Sequence, residues 1–349
     1  MNRLFLVAIA IASLLSTTSA DDFRLVKRDW RADAPGHPKR APPAKRGPPE
    51  DGEDKVPLVV TNKCEATIWP GLATQAGTGP GTGGFELEPG KNKTMWVGSD
   101  WQGRIWGRTN CTVNGESCAC KTGDCFAKLD CEFSGAPPAT LAEFNLAGGV
   151  DGMQTFYDIS LVDGYNLPMG ISYIPAKNTT YIPPNLTNCA CIATEGWLFA
   201  KAPTGTFYAN SSFPVPLEAN ETNESDCCIG KYHDPNICKP SRYSTSVKTV
   251  CPDAYSFAFD DQKSTFIVPK GGGWEVVMCP VGRSTNILRQ LGKELFEIAS
   301  GGRLSEPSMK RLRDIGYIEA ARGAAGSVRH LSPALTILTA ALAVVWSAL

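Results

Sequence analysis

Thirteen cysteines in a 349-residue chain that opens on an export-type leader constrain this sequence more than any other feature. Arg3 precedes an apolar run from Leu4 to Leu15, and small residues follow at Thr18-Ser19-Ala20. That layout is a secretory signal peptide spanning 1–20, so the remainder is expected to fold in an oxidising compartment. There the cysteines read as disulfides before they read as metal ligands. A zinc cluster built from the Cys118/Cys120 and Cys189/Cys191 pairs is set aside on that ground, and no metal or cofactor is expected. A chain stapled in this way suits short strands joined by ordered loops, and 34 Gly with 26 Pro agree with many turns rather than long helices.

Charge and histidine content remove several function classes. Lys and Arg number 34 against 35 Asp and Glu, a net charge of −1, whereas nucleic acid would favour a clustered basic surface. The three histidines are His37, His233 and His330, and the first and last fall in segments expected to be removed. A three-histidine zinc site is therefore excluded, and any Ser-His-Asp triad would have to use His233.

Two flanking segments read as processing signals. Residues 21–55 are poor in apolar side chains and carry the dibasic pairs Lys27-Arg28, Lys39-Arg40 and Lys45-Arg46. They cannot bury enough surface to offset their ordering entropy, and they read as a disordered propeptide or linker. At the other end, the apolar run Leu335–Leu349 is shorter than the ~20 residues a spanning helix needs. Small residues Gly323-Ala324-Ala325 and the spacer Gly326–Pro333 precede it. Triplet, spacer and tail make a GPI-attachment signal over 324–349, with lipid on Gly323. The expected product is a lipid-held protein on the outer face of a plasma membrane or in a wall.

Between these signals, 56–283 reads as one folded domain. Strands are expected at Leu58–Asn62, Ala66–Trp69, Lys93–Val97, Gly103–Thr109 and Trp274–Met278, with Gly and Pro between them. Nothing of long helical period interrupts them, so the fold class is all-β, an antiparallel β-sandwich. Sequons stand at Asn92, Asn110, Asn178, Asn185, Asn210, Asn220 and Asn223. Their crowding marks 177–240 as a glycosylated, loop-rich lobe. Ile287, Leu288, Leu291, Leu295 and Ile298 then recur at helical spacing, an amphipathic helix within a stalk over 284–323.

Several strings carry a family likeness. Gly103-Arg104-Ile105-Trp106-Gly107-Arg108-Thr109-Asn110-Cys111 leads to Cys120-Lys121-Thr122-Gly123-Asp124-Cys125, then to Pro137-Pro138-Ala139-Thr140-Leu141-Ala142-Glu143-Phe144. Phe156-Tyr157-Asp158-Ile159-Ser160-Leu161-Val162-Asp163-Gly164-Tyr165-Asn166 and Cys251-Pro252-Asp253-Ala254-Tyr255 follow in order. In this wording the chain resembles thaumatin-like, pathogenesis-related proteins from about Val56 to Pro280, less so across the lobe. The resemblance implies a thaumatin-like β-sandwich with disulfide-rich loop lobes and an acidic cleft. It implies the bridges Cys64–Cys279, Cys111–Cys120, Cys125–Cys131, Cys191–Cys251 and Cys228–Cys238. Cys189–Cys227 is added with less to carry it, and Cys118 is then an odd thiol, free or bridged to another molecule. The cleft residues carried over are Arg108, Glu143, Asp158, Asp163 and Asp253, with Arg108 and Asp253 assigned to substrate binding. A longer spacing from Glu143 to Asp158 makes Asn145–Gln154 a loop expected at the cleft rim.

The residues also speak without the likeness. Alternation sets Arg104, Trp106 and Arg108 on one face of their strand and Ile105 with Gly107 on the other. Glu143 and Asp158 each sit among large apolar side chains, where desolvation raises a carboxyl pKa and a nearby Arg lowers it. Two carboxyls driven apart suit glycosidic cleavage, with Glu143 as acid and Asp163 or Asp158 as its partner. Asp124, in Thr-Gly-Asp-Cys, reads as a turn residue. Trp69, Trp96, Trp101, Trp106, Phe156, Tyr157 and Tyr165 read mostly as core, with one or two left to stack on sugar. The expected function is a monomeric cell-surface protein that binds, and weakly hydrolyses, wall β-1,3-glucan or a related polysaccharide. A non-catalytic structural or defensive, inhibitory wall protein is the alternative.

Overall fold

In the computed structural model, the residues described are 54–318 except 150, 177–180, 194–224, 226–227 and 229. The signal, the propeptide, the GPI segment and most of the glycosylated lobe lie outside them. The described strands are β1 (Lys55–Asn62), β2 (Trp69–Ala76), β3 (Asn92–Gly98), β4 (Gln102–Arg108), β5 (Thr112–Asn114) and β6 (Ser117–Ala119), then β7 (Leu141–Gly148), β8 (Gln154–Ser160), β9 (Met169–Ile174), β10 (Cys189–Cys191), β11 (Phe266–Pro269) and β12 (Gly273–Met278). The helices are α1 (Pro184–Thr187), α2 (Arg242–Val250), α3 (Ile287–Gln290), α4 (Gly292–Gly301) and α5 (Glu306–Asp314). A division by contacts places 307–349 in a separate unit, of which the described part is α5 and the turn after it, closed by the Tyr317 amide on Leu312.

Two five-stranded sheets make the sandwich, in the orders β10-β9-β12-β1-β3 and β11-β8-β7-β4-β2, with β5-β6 as a separate ribbon. Within the sheets, the pairing of β1 with β12 is parallel and the others are antiparallel. The all-β sandwich expected from the sequence is what the chain adopts. Period-2 patterning explains its core. Leu58 and Val60 of β1, Trp274 and Val276 of β12, and Phe144 and Tyr157 of the second sheet are all buried. The Trp274 ring lies 4.4 Å from Tyr157 and 5.5 Å from Phe144, so aromatic rings from both sheets meet at the centre. Tyr157 keeps its hydroxyl satisfied there by donating to the Thr187 carbonyl at 2.6 Å.

Two local expectations are corrected, and one helix is added. The strand placed at Ala66–Trp69 begins only at Trp69; before it, Ile68 forms an isolated bridge with Leu87. The apolar helix after Arg283 is two pieces, α3 and α4, broken at Leu291, whose φ of −128° is not helical. Helix α2 lies just past the lobe read over 177–240, where the sequence suggests no element. Ser241 caps it, its hydroxyl accepting the Ser244 amide while the Ser244 hydroxyl accepts the Ser241 amide, which offsets a stretch of β-branched residues.

Five disulfides link described residues: Cys64–Cys279, Cys111–Cys120, Cys125–Cys131, Cys191–Cys251 and Cys228–Cys238. Among the described residues Cys189 is a free, buried thiol; Cys227, the partner expected for it, lies outside them. Cys118 is free and buried as well. The Cys64–Cys279 bridge spans 215 residues, and in the loop-entropy model a closure of that length stabilises by about 5 kcal/mol. Replacing both cysteines by Ala is expected to lower the denaturation midpoint by that order of stability, read by chemical unfolding followed through tryptophan fluorescence. An unchanged midpoint would contradict it.

Candidate functional site

Register decides which charged side chains share a neighbourhood. Arg104 of β4 stands opposite Glu143 of β7, and Glu143 stands opposite Asp158 of β8. Directly opposed residues in an antiparallel sheet project to one face. The row therefore lies on the outer face of the second sheet, because the alternate residues Phe144 and Tyr157 fill the core between the sheets. The Arg104 guanidinium is 3.8 Å from the Glu143 carboxylate, 2.9 Å from the Ser134 hydroxyl and 3.5 Å from the Gln75 amide oxygen.

The other two acids approach from loops. Asp163 follows β8 by three residues, and its carbonyl accepts the Ala139 amide at 2.9 Å. Asp253 is carried by a segment that runs alongside the end of β8: the Tyr255 amide donates to Ile159 and the Leu161 amide to Tyr255. Lys248 fixes that segment by donating to the Ala254 and Lys263 carbonyls and the Ser264 hydroxyl, and by pairing with Asp260 at 2.9 Å. Burial, and after it the carboxylates of Asp253 and Asp158, pushes the Cys189 thiol well above its usual range, so both acids act on one neighbourhood.

Arg108 is not part of it. It is completely buried and donates to the carbonyls of Trp69, Pro70, Lys128 and Leu129. It holds the loop after β6 against the sheet, two alternations along β4 from Arg104. The row's cation is thus Arg104, which sequence alternation placed on the same face but did not distinguish from Arg108; the β4–β7 register is the signal that separates them. Asp124 fastens the same loop, accepting the Cys120 and Ala127 amides at 2.8 and 2.9 Å. The segment Asn145–Gln154 is not a rim loop either. Its ends belong to β7 and β8, a register shift between Asn145 and Gly148 takes up one residue of the extra length, and the Gln154 side chain donates to Ala299 of α4.

The four acids are closed off from solvent: Glu143, Asp158, Asp163 and Asp253 are 2%, 0%, 2% and 3% exposed. Part of that cover comes from the chain after β12. Both Asp253 carboxylate oxygens are taken by amides of α3, Ile287 at 2.8 Å and Leu288 at 3.0 Å. Just before them, Thr285 bonds through its amide and hydroxyl to Ala190, and the Ser284 hydroxyl bonds to both the amide and the carbonyl of Ile192. Residues 284–288 thus form a strap tied along the β10 edge and onto Asp253. Of the aromatics, Trp101, Trp106, Phe156, Tyr157 and Tyr165 are buried, while exposed Trp96 belongs to β3 of the opposite sheet.

Comparison with known proteins agrees with this architecture. A family model described as the Thaumatin family matches residues 62–280. Thaumatin-like protein 1 of Arabidopsis thaliana is 39% identical over 238 residues, covering 66% of this chain and 88% of that protein. Pathogenesis-related protein 5 of the same plant is 40% identical over 229 residues, covering 64% and 90%. A glucan endo-1,3-beta-glucosidase of Prunus avium is 36% identical over 237 residues, covering 66% and 92%. The strap lies beyond the span of the family match.

Asp253→Asn keeps one acceptor oxygen but turns an amide group toward a backbone N–H, so one of the two strap bonds is lost. A charge-assisted hydrogen bond of this kind is worth about 1.5–3 kcal/mol. Hydrogen exchange at Ile287 and Leu288 is expected to accelerate accordingly while β7 and β8 stay protected; unchanged exchange at those two amides would contradict the strap's attachment.

Proposed function

The chain belongs to the thaumatin family, and from that premise we propose that it is an extracellular wall protein that binds β-1,3-glucan and hydrolyses it slowly. The observation that carries this is the row Arg104–Glu143–Asp158 on one sheet face, with Asp163 three residues past the end of β8 and Asp253 on the segment that pairs beside β8. A guanidinium and several carboxyls gathered under apolar cover have more polarity than a core needs. They supply the two kinds of carboxyl that glycosidic cleavage uses, one protonated and one ionised. Glu143 is the acid, and Asp158 or Asp163 is the base or nucleophile. Arg104, in place of Arg108, is the cation of the row, 3.8 Å from the Glu143 carboxyl. The relative from Prunus avium named as a glucan endo-1,3-beta-glucosidase supports the substrate class.

The burial of all four acids favours a second reading, in which the protein binds wall polysaccharide or acts defensively without cleaving. The names of the pathogenesis-related relatives support that class. In the hydrolytic reading the strap must leave Asp253 before a sugar chain can reach the row. Asn92, Asn110 and Asn185 are exposed, as glycan acceptors need to be; they join the proposed glycoprotein surface with the sequons outside the described residues. The signal over 1–20, the segment 21–55, the domain 56–283, the stalk 284–323 and the GPI signal over 324–349 complete the proposal, a monomer held at the outer membrane face.

Two experiments test these parts. Purified protein incubated with laminarin is expected to release reducing ends, faster in Asp253→Asn, where the strap is loosened, and not at all in Glu143→Gln. Retention on insoluble β-1,3-glucan without reducing ends in any form would leave binding and remove catalysis, and loss of both would remove the glucan reading. Separately, phosphatidylinositol-specific phospholipase is expected to release the protein from intact cells. Release by detergent alone would overturn the lipid anchor.

A further inference from the structure

The hairpin β5–β6 gathers three cysteines on one face. In its register Val113 opposes Cys118 and Thr112 opposes Ala119, so Cys111 comes opposite Cys120 just beyond the ladder. Cys118 and Cys120, two residues apart, project to the same side. Cys111 and Cys120 are bridged, and the Cys118 sulfur lies 3.6 Å from the Cys120 sulfur, with all three sulfurs within 4.8 Å of one another. Cys118 is fully buried, whereas Cys111 and Cys120 are half-buried and the other hairpin residues are exposed. A thiol pressed against a disulfide is a pair of reactants held at contact distance.

We propose that this hairpin is a thiol–disulfide exchange site, in which buried Cys118 enters the bridge, expels Cys111 or Cys120 as an accessible thiol, and so readies the protein to capture an external disulfide. The Cys118 thiolate attacks the Cys120 sulfur. A Cys118–Cys120 bond forms as Cys120–Cys111 breaks, the electron pair leaves on the Cys111 sulfur, and that sulfur takes up a proton in place of the one Cys118 released. Attack on Cys111 instead gives Cys111–Cys118 and frees Cys120. One thiol and one disulfide remain in either case, so the exchange needs no oxidant. The freed thiolate then attacks an external disulfide, forming a mixed disulfide and releasing the other half as a thiol.

The surroundings keep the resting state quiet. Burial pushes the Cys118 thiol up; Arg108 pulls it back, and Asp124 and Glu86 push it further up. Little thiolate is therefore present near neutrality, and exchange speeds up as the solution becomes alkaline. The chemistry does not depend on the acidic row, and its test is independent of glucan.

The full-length protein, incubated at mildly alkaline pH with oxidised glutathione, quenched in acid and digested without reduction, is mapped by mass spectrometry. Glutathione is expected on Cys111 or Cys120, accompanied by peptides in which Cys118 is disulfide-linked. In Cys118→Ser, a near-isosteric change checked by its melting temperature, hairpin adducts are expected to vanish. Cys189, buried beside Tyr157, serves as an internal control that reacts only after unfolding. Adduct on Cys118 with Cys111–Cys120 intact would overturn the proposal. So would equal adduct in Cys118→Ser, or no adduct and no Cys118 disulfide in the wild-type hairpin. If the variant fails to fold, the wild-type bridge map alone decides.

Discussion

The parallel pairing of β1 with β12, locked by Cys64–Cys279, is the constraint on which the rest depends. It brings the first and last strands of the sandwich side by side inside one sheet, so neither sheet edge is where the domain ends meet. Trp274 on β12 then has both sheets to pack against, and the aromatic centre follows from that placement. Contacts so distant in sequence form late and slowly, because the loop-closure entropy must be overcome before they contribute. A covalent tie between the terminal strands compensates by limiting what the unfolded chain can explore.

On that frame, the second sheet keeps two different things on its outer face. Towards the end of β4, Trp106 and Arg108 are roofed by the loop that Asp124 fastens; the Trp106 indole donates to the Gly123 carbonyl at 2.8 Å and a Cβ at Gly123 would sit 2.8 Å from that ring, so the roof fits closely. Across the middle of the sheet, Arg104, Glu143 and Asp158 lie in a row, with Asp253 carried beside β8 by the pairing of Tyr255 two residues on. The strap after β12 completes the closure. Its sequence is unremarkable, yet two backbone amides satisfy a carboxylate that would otherwise face the row. What reads as a stalk is thereby part of the site's surroundings.

Much of this was legible in the amino-acid sequence, for physical reasons that differ from place to place. The strands around Val60, Trp96, Ile105 and Val276 announce themselves because alternation of apolar and polar residues is a local property. The helical spacing of Ile287 to Ile298 is equally local, and only the break at Leu291 escaped it. What could not be read was which of two arginines on one strand face meets Glu143, since that depends on the β4–β7 register, a long-range quantity. The occupation of Asp253 by Ile287 and Leu288 was hidden for the same reason: backbone amides leave no signature in composition. The extra length before Asp158 reads as a loop until the sheet shows one residue of it taken up as a bulge in β7.

Apart from the Cys125 sulfur, the partners of Arg108 are main-chain oxygens, Lys128 and Leu129 in the loop it holds and Trp69 and Pro70 at β2. Peptide carbonyls are common to every residue type, so the anchor does not care which side chains the roof displays. Exposed positions there, Phe126 among them, can drift or be selected without loosening their footing. The fold thereby separates the chemistry that positions this surface from the chemistry the surface presents, which leaves its recognition properties open to change while its shape is kept.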